Sequence, residues 1–335
     1  MKIIICARDI KGGIRTHLLT MIKYLEKQRD VKNILIISSN LIEGFTDKVE
    51  SLVIKLRGKT FLTREPVFAW KCTKLIKNIL KNENYDILDF HQPVLFSNIP
   101  IPKIYTVHLT HFQFSKEARK SVSFFSFSIF HFLYKYFDSK QMRYADKVVF
   151  VSKKSLKELK CKYPYLSKKF NFVPNFVDEK IFYPLKEEQR KRVREKLEIP
   201  EFDFVLFYSG RLDKMKNIFA LTKAVSLLIK KKKNITFLVG GEGKLRNFVI
   251  KNKYCKYLGN LPEENLNEIY NAVDLTVLPS IYENFPGVIM ESVLAGTLVI
   301  STDVGDVRDL LPKELIISGF DKNSVGIELR LDGLE

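Results

Sequence analysis

Short runs of apolar and β-branched residues alternate with helix-length amphipathic segments along nearly the whole chain, the pattern that yields parallel sheets covered on both faces. In the first half it predicts strands over residues 2–7, 33–38, 86–90, 103–108, 147–152 and 170–173, with helices such as 16–27 and 68–81 between them. The rhythm restarts in the second half with strands over 203–209, 234–240, 274–278, 298–302 and 314–318. Between the halves, Val173-Pro174-Asn175-Phe176, Tyr183-Pro184 and a charged stretch over 186–196 interrupt it, as prolines and solvated charge do in a connection. The hinge falls near Asn175, which predicts an N-terminal domain over 1–175 and a C-terminal domain over 176–335, both α/β. In open parallel sheets ligands collect beyond the carboxyl ends of the strands. The chemistry is expected in the loops there, lining a cleft if the two sheets face each other.

Composition narrows this reading. With 46% hydrophobic residues, 12 prolines and 15 glycines in 335 positions, the chain has apolar mass for two sizeable cores and no signature of disorder. Cys6, Cys72, Cys161 and Cys255 form no C-x-x-C pair, so neither a disulfide framework nor a zinc site is expected and a reducing cytoplasm fits. The start, Met1-Lys2-Ile3-Ile4-Ile5, turns polar too soon for a signal peptide, and no apolar run suits a spanning helix. Lysine and arginine number 56 against 38 acids, a formal charge of +18, so the partner is expected to be anionic: a nucleotide sugar, acidic lipid or nucleic acid. The run over 230–233 ends a predicted helix, where cations complement the dipole, and it lacks the interleaved aromatics that stack bases. Nucleic acid is therefore not expected as a partner.

The most informative segment is Pro279-Ser280-Ile281-Tyr282-Glu283-Asn284-Phe285-Pro286-Gly287-Val288-Ile289-Met290-Glu291. It follows a predicted strand, and Pro286 suits the first turn of a helix, where its missing N–H costs nothing. Glu283 then lies in the loop and Glu291 on the helix. Amides at a helix start attract an anion, and a carboxylate further along can accept bonds from a vicinal diol, so phosphate plus ribose fits. A plain reading, with Glu283 on the surface and Glu291 capping or paired, is outweighed by the position after a strand and before a glycine-bearing helix.

This segment resembles the E-x7-E motif of retaining GT-B glycosyltransferases, the glycogen-synthase-like and lipopolysaccharide-mannosyltransferase-like group of glycosyltransferase family 4, group 1. Other motifs follow in the same order. Ser209-Gly210-Arg211-Leu212-Asp213-Lys214-Met215-Lys216-Asn217 is similar to the family's G-R-L-x-x-x-K-N segment, and the resemblance assigns Arg211 and Lys216 to the donor diphosphate. Two preorganised cations can stabilise a departing diphosphate without a metal. Val239-Gly240-Gly241-Glu242-Gly243 resembles its G-x-G segment, implying that Gly241 and Gly243 let backbone approach the nucleotide; a plain turn is the alternative. Tyr257-Leu258-Gly259-Asn260-Leu261 resembles the stretch that lies against the base, with Leu261 in it, and Phe285, Pro286, Gly287 and Glu291 complete the implied donor site. Lys11-Gly12-Gly13-Ile14 is similar to the glycine pair facing the donor phosphates, which implicates Gly13 and departs from the G-x-G-x-x-G of nicotinamide enzymes.

Of five histidines, His108 ends a predicted strand where the family carries a histidine beside the transferred sugar. His91 is a weaker, acceptor-side candidate, and His111 and His131 read as structural. The stretch over 122–137 is unusually aromatic; it suits either an interfacial segment on acidic lipid or a buried helix. Family members usually continue into a helix that crosses back onto the first domain, which this chain, ending at Glu335, is expected to lack. The resemblance thus implies a retaining, metal-independent hexosyltransferase with no cofactor. A UDP-, GDP- or ADP-sugar is the donor and a hydroxyl of a glycan or lipid-linked molecule the acceptor, with Glu283 orienting the sugar. Two alternatives stay open: a non-catalytic binder of nucleotide sugars or polyanions, and a glycosidase using Glu283 and Glu291.

Overall fold

The computed structural model describes residues 1–317 except 9, 11, 57–60, 93, 94, 96, 109, 111–134, 137 and 232–233, with backbone alone at 61–63 and 65. The aromatic stretch over 122–137, His111, His131, Lys11 and the last eighteen positions therefore lie largely or wholly outside the described residues. The chain divides into two compact units, Met1–Asn175 and Phe176–Glu335.

Among the described residues the first unit holds a seven-stranded parallel sheet. Its strands are β1 (Lys2–Cys6), β2 (Asn33–Ser38), β3 (Val49–Val53), β4 (Ile87–Phe90), β5 (Lys103–Val107), β6 (Lys147–Phe150) and β7 (Phe170–Phe172), in the order β3-β2-β1-β4-β5-β6-β7. Successive side chains of a strand point to opposite faces, and here both faces are buried. Ile4 and Cys6 join Leu35, Ile37, Leu88 and Phe90 on one side, whereas Ile3, Ile5 and Ala7 join Ile34 and Ile36 on the other. Helix Phe61–Asn82 sends Phe68, Cys72 and Ile76 to the first face, and helix Gly12–Leu25 sends Leu18 and Ile22 to the second. Cys6 and Cys72 lie 3.8 Å apart as buried thiols.

The second unit repeats the plan with β8 (Phe204–Ser209), β9 (Ile235–Gly240), β10 (Lys256–Gly259), β11 (Leu275–Leu278), β12 (Leu298–Thr302) and β13 (Ile316–Ile317), ordered β10-β9-β8-β11-β12-β13 and all parallel. Leu206 and Tyr208 face one core, Val205 and Phe207 the other. In each sheet the winding direction reverses once, between β1 and β4 and between β8 and β11. Such a switch point opens a crevice at the strand ends.

Three expectations are corrected. Two strands fall outside the predicted set: β3, an edge strand with Leu52 and Val53 exposed, and the short β10, which is only half-buried. The helix expected over 68–81 begins at Phe61 and contains Pro66. The charged stretch over 186–196 is not an interruption but a helix, Glu187–Lys196, clamped to the sheet by charge rather than by an apolar stripe. Arg190 and Arg194 each bond an oxygen of Asp274 at 2.7 Å and donate to the carbonyls of Asn271 and Ala272. Asp274 also accepts from the Val205 amide at 2.7 Å. No helix among the described residues is long and apolar enough to cross a membrane.

Candidate functional site

The loops that flank the switch point of the second sheet hold the charged candidate residues. After β8, the carboxylate of Asp213 accepts from the amides of Met215 and Lys216, both at 3.0 Å, and so curls the chain back on itself. The hydroxyl of buried Tyr208 donates to the Arg211 carbonyl at 2.8 Å and pins the same loop. After β11, the Ile281 amide donates to the Met215 carbonyl at 2.9 Å, stitching the two loops together. Across this junction the Lys216 ammonium pairs with Glu283 Oε1, which also accepts from Ser280 Oγ at 2.7 Å. Thr302, at the end of β12, donates to the Ser280 carbonyl at 2.6 Å and supports the loop from behind.

Glu291 lies beside this pair. Helix Gly287–Leu294 begins one residue after Pro286, so Glu291 is one turn inside it. Its side chain leans toward the helix start, as helical side chains do, and Oε1 comes within 3.3 Å of where a Cβ on Gly287 would stand. Tyr270 donates to the other oxygen at 2.8 Å. Burial pushes the Glu291 carboxyl up from 4.5 to about 7, with the Tyr270 bond and the Lys216 charge pulling against it. A strongly perturbed acid at the end of a sheet's strands has the physical character of a functional group.

Lys216, Glu283 and Glu291 are thus brought together. Arg211 stands apart from them, 62% exposed at its side chain and paired with Asp213 at 3.3 Å. Gly241 and Gly243 are required by packing between two loops, a demand the sequence did not show. A Cβ on Gly241 would lie 1.9 Å from the Gly210 carbonyl oxygen and one on Gly243 2.4 Å from that of Leu212. Their missing side chains let the β9 loop lie against the Arg211 loop, with Leu212 donating to Glu242 at 2.9 Å and Gly241 to Gly259 at 2.7 Å. Leu261 packs over Gly240, its Cδ1 within 2.5 Å of a Cβ there. Phe285 and Pro286 occupy the turn into the helix, Pro286 as the residue immediately before it.

In the first unit, Gly12 opens helix Gly12–Leu25 and Gly13 sits in its first turn with nothing within 4 Å of a Cβ position. Three histidines converge near the switch point. His91, just past β4, is 2% exposed and has both ring nitrogens engaged, Nε2 with Asp89 at 3.0 Å and Nδ1 with His108 Nε2 at 2.9 Å. His17 meets the His108 ring edge-on at 4.8 Å between centroids. Burial, reinforced by His91, lowers His17 to about 4 and His108 well below the ordinary imidazole range. These three are the described side chains that converge as a metal-ligand set would, their nitrogens within 4.8 Å of one another. Two imidazoles on one zinc hold their nitrogens about 3.3 Å apart, whereas 2.9 Å is the length of a hydrogen bond.

Several contributors carried no motif. Tyr270 and Thr302 act through hydrogen bonds between segments far apart in sequence. Gly305, whose absent Cβ would stand 2.5 Å from the Asn284 carbonyl oxygen, seats the Glu283 loop. Asp89 left one legible trace: strand alternation puts it on the same face as His91, and Thr106 on the same face as His108.

Residues 11–180 match the family described as Glycosyltransferase Family 4, and residues 189–320 match Glycosyl transferases group 1. The putative teichuronic acid biosynthesis glycosyltransferase TuaC of Bacillus subtilis is 32% identical over 127 residues, 38% of this chain and 32% of that protein. The chain spans about a third of the length of such curated relatives. Among solved structures, WaaG, a glycosyltransferase involved in lipopolysaccharide biosynthesis, superposes with a TM-score of 0.72 at 16% identity, covering 90% of this chain and 81% of its own. Anabaena HepE, solved with UDP-glucose, gives 0.66 at 18% identity over 93% of this chain and 83% of its own. Two Rossmann-like parallel-sheet units of this topology, and a family match that runs through half of the chain, establish that the protein has the GT-B fold and belongs to glycosyltransferase family 4.

Proposed function

We propose that this protein transfers a hexose from a nucleoside-diphosphate sugar to a hydroxyl of a glycan or lipid-linked acceptor, with retention at the anomeric carbon and without a metal or other cofactor. The observation that carries the reading is the junction at the second sheet's switch point, where Lys216, Glu283 and buried Glu291 meet at the start of a helix. In this reading Glu291 accepts the ribose diol through the oxygen that Tyr270 does not hold. Lys216 exchanges its bond to Glu283 for the diphosphate, and exposed Arg211 swings from Asp213 to the same charge. Released from Lys216, Glu283 takes the sugar hydroxyls, with Ser280 keeping it in place. Charge developing on the departing diphosphate is then met by two cations, which is the electrostatic work a metal would otherwise do.

The first unit supplies His108 beside the transferred sugar and the acceptor surface. The HepE complex with UDP-glucose and the lipopolysaccharide role of WaaG, facts about those proteins, support the donor and acceptor classes. Work at the cytoplasmic face of a membrane, touching acidic lipid, fits such an acceptor. The test is release of nucleoside diphosphate from UDP-, GDP- and ADP-sugars. Lys216→Ala should lower kcat on the order of 100-fold, and Glu283→Ala should abolish detectable turnover. Tight binding of nucleotide sugars with no turnover on any donor would sink the transferase and leave a binder, whereas hydrolysis of simple glycosides would favour a glycosidase.

A further inference from the structure

The formal charge of +18 is not shared between the two units. Residues 1–175 carry 32 lysines and arginines against 14 acids, whereas residues 176–335 carry 24 of each. The second unit, which holds the diphosphate candidates Arg211 and Lys216, is therefore neutral, and the whole excess sits on the first. There the charge concentrates after β6. Residues 153–169 hold seven lysines and one acid, Glu158, which Lys162 engages at 3.2 Å. Helix Lys153–Lys162 sets Lys153, Lys157 and Lys160 at the i, i+4, i+7 spacing of one exposed face, with Ser155 and Leu159 buried behind. Helix stability does not account for these cations. Lys153 and Lys154 open the helix, where the dipole disfavours positive charge, and no acid stands in its first turn. Helices Glu187–Lys196 and Glu263–Ala272 of the second unit follow the dipole instead, each starting with two glutamates.

We propose that the outer surface of the helices on this side of the first sheet is a docking surface for an anionic bilayer. Three segments build it. Phe68, Cys72 and Ile76 of helix Phe61–Asn82, Met142 and Ala145 ahead of β6, and Leu159 and Leu166 after it join one core against the same side of the sheet, so their outer sides form one layer. Each segment presents among its cations an aromatic residue that is half exposed or more: Trp70, Tyr136 and Tyr165. Lys74 stands over the Trp70 ring at 5.4 Å and Lys140 over the Tyr136 ring at 5.6 Å, while the Tyr165 hydroxyl accepts from Arg143 at 3.5 Å. Rings with a polar edge, beside lysines whose heads reach past an apolar stem, suit the headgroup layer of a membrane. The negative potential of acidic lipid holds such polybasic clusters. Of the 32 cations of the first unit 25 are lysine, a point charge suited to a diffuse anionic surface, rather than arginine, whose fork reads single phosphates and bases. The surface gives a place to the membrane contact named above, and rests on that reading only for the lipid-linked acceptor it brings within reach.

Co-sedimentation of the intact protein with phosphatidylcholine vesicles, with and without phosphatidylglycerol, reads the surface directly. The wild type should bind only the vesicles that contain phosphatidylglycerol, and less as salt rises. Lys153→Glu, Lys157→Glu and Lys160→Glu combined should weaken that binding on the order of 100-fold. Lys223→Glu, Lys230→Glu and Lys251→Glu combined make the same change of net charge at exposed positions of the second unit and should bind like the wild type. Tyr165→Ala should weaken binding even at high salt, because an aromatic anchor is not screened. A wild type that ignores phosphatidylglycerol at low salt overturns the proposal, and needs no variant to fold. Equal losses in the two triple variants overturn it too, since net charge rather than this surface would then be at work. Oligonucleotides bound more tightly than the vesicles, and lost in the first triple variant, would assign the surface to nucleic acid instead and overturn the bilayer. Vesicle binding by a protein that releases no nucleoside diphosphate from any donor would refute the transfer reaction and leave the surface standing, so the two failures are distinguishable.

Discussion

Replacing Glu291 with glutamine tests whether the fold bears the cost of a desolvated acid. Burial raises this carboxyl from 4.5 to about 7, and at about 1.4 kcal/mol for each tenfold change in proton affinity the ionised form costs about 3 kcal/mol. The folded protein holds the proton more tightly than the unfolded chain does. Below about pH 4.5 both states are protonated and the cost vanishes; it grows as pH rises through this window and is complete above about pH 7. Glutamine never ionises, so Glu291→Gln should gain stability over the wild type across that interval, reaching about 3 kcal/mol. For the second unit this corresponds to about 6–12 °C in Tm. The new amide carries its own burial penalty of about 1–3 kcal/mol where it lacks an acceptor, but that penalty does not vary with pH. The readout is therefore the difference between the variant's gain at pH 8 and at pH 4.5, followed by circular dichroism through thermal unfolding. The single tryptophan, Trp70, reports on the first unit and should be unaffected. A difference that is flat across this range would refute the reasoning. Donor binding runs the other way: the ribose diol needs the carboxylate, so wild-type affinity should fall as pH drops below about 7, and the variant should bind about 10–100-fold more weakly with no such dependence.

Three further outcomes are expected. Tyr270→Phe removes the bond that holds the Glu291 carboxylate ionised, so the pH midpoint of donor binding, measured by calorimetry, should move to higher pH. Gly241→Ala puts a Cβ 1.9 Å from the Gly210 carbonyl oxygen at a φ of +125°; several kcal/mol of stability should be lost, at least about 1–3 from the backbone alone, with donor binding lost in the fraction that still folds. Asp274→Asn leaves Arg190 and Arg194 without their acid partner and weakens the bond from the Val205 amide. Urea unfolding should show a loss of about 1–3 kcal/mol, smaller at high salt for the screened part.

The alternation of apolar strands and amphipathic helices carried the α/β class in the primary sequence, because a strand buried on both faces must be apolar almost throughout. Glu283 and Glu291 were legible from the strand before them and from Pro286 at the helix start, and Arg211 and Lys216 from the resemblance of their segment to the family's G-R-L-x-x-x-K-N motif. Their pairing was not legible. Lys216 meets Glu283 because β8 and β11 are neighbours, a fact of sheet order with no counterpart in spacing along the chain. For the same reason Tyr270 and Asp89, acting through hydrogen bonds to residues they merely happen to be folded against, looked like ordinary positions. The helix Glu187–Lys196 passed for a solvated connection because ion pairs to Asp274, rather than an apolar stripe, seat it. Local patterning records which face of an element must avoid water. Which charge neutralises which, and where a proton resides, depends on separations of about 3 Å that exist only after the sheets have closed.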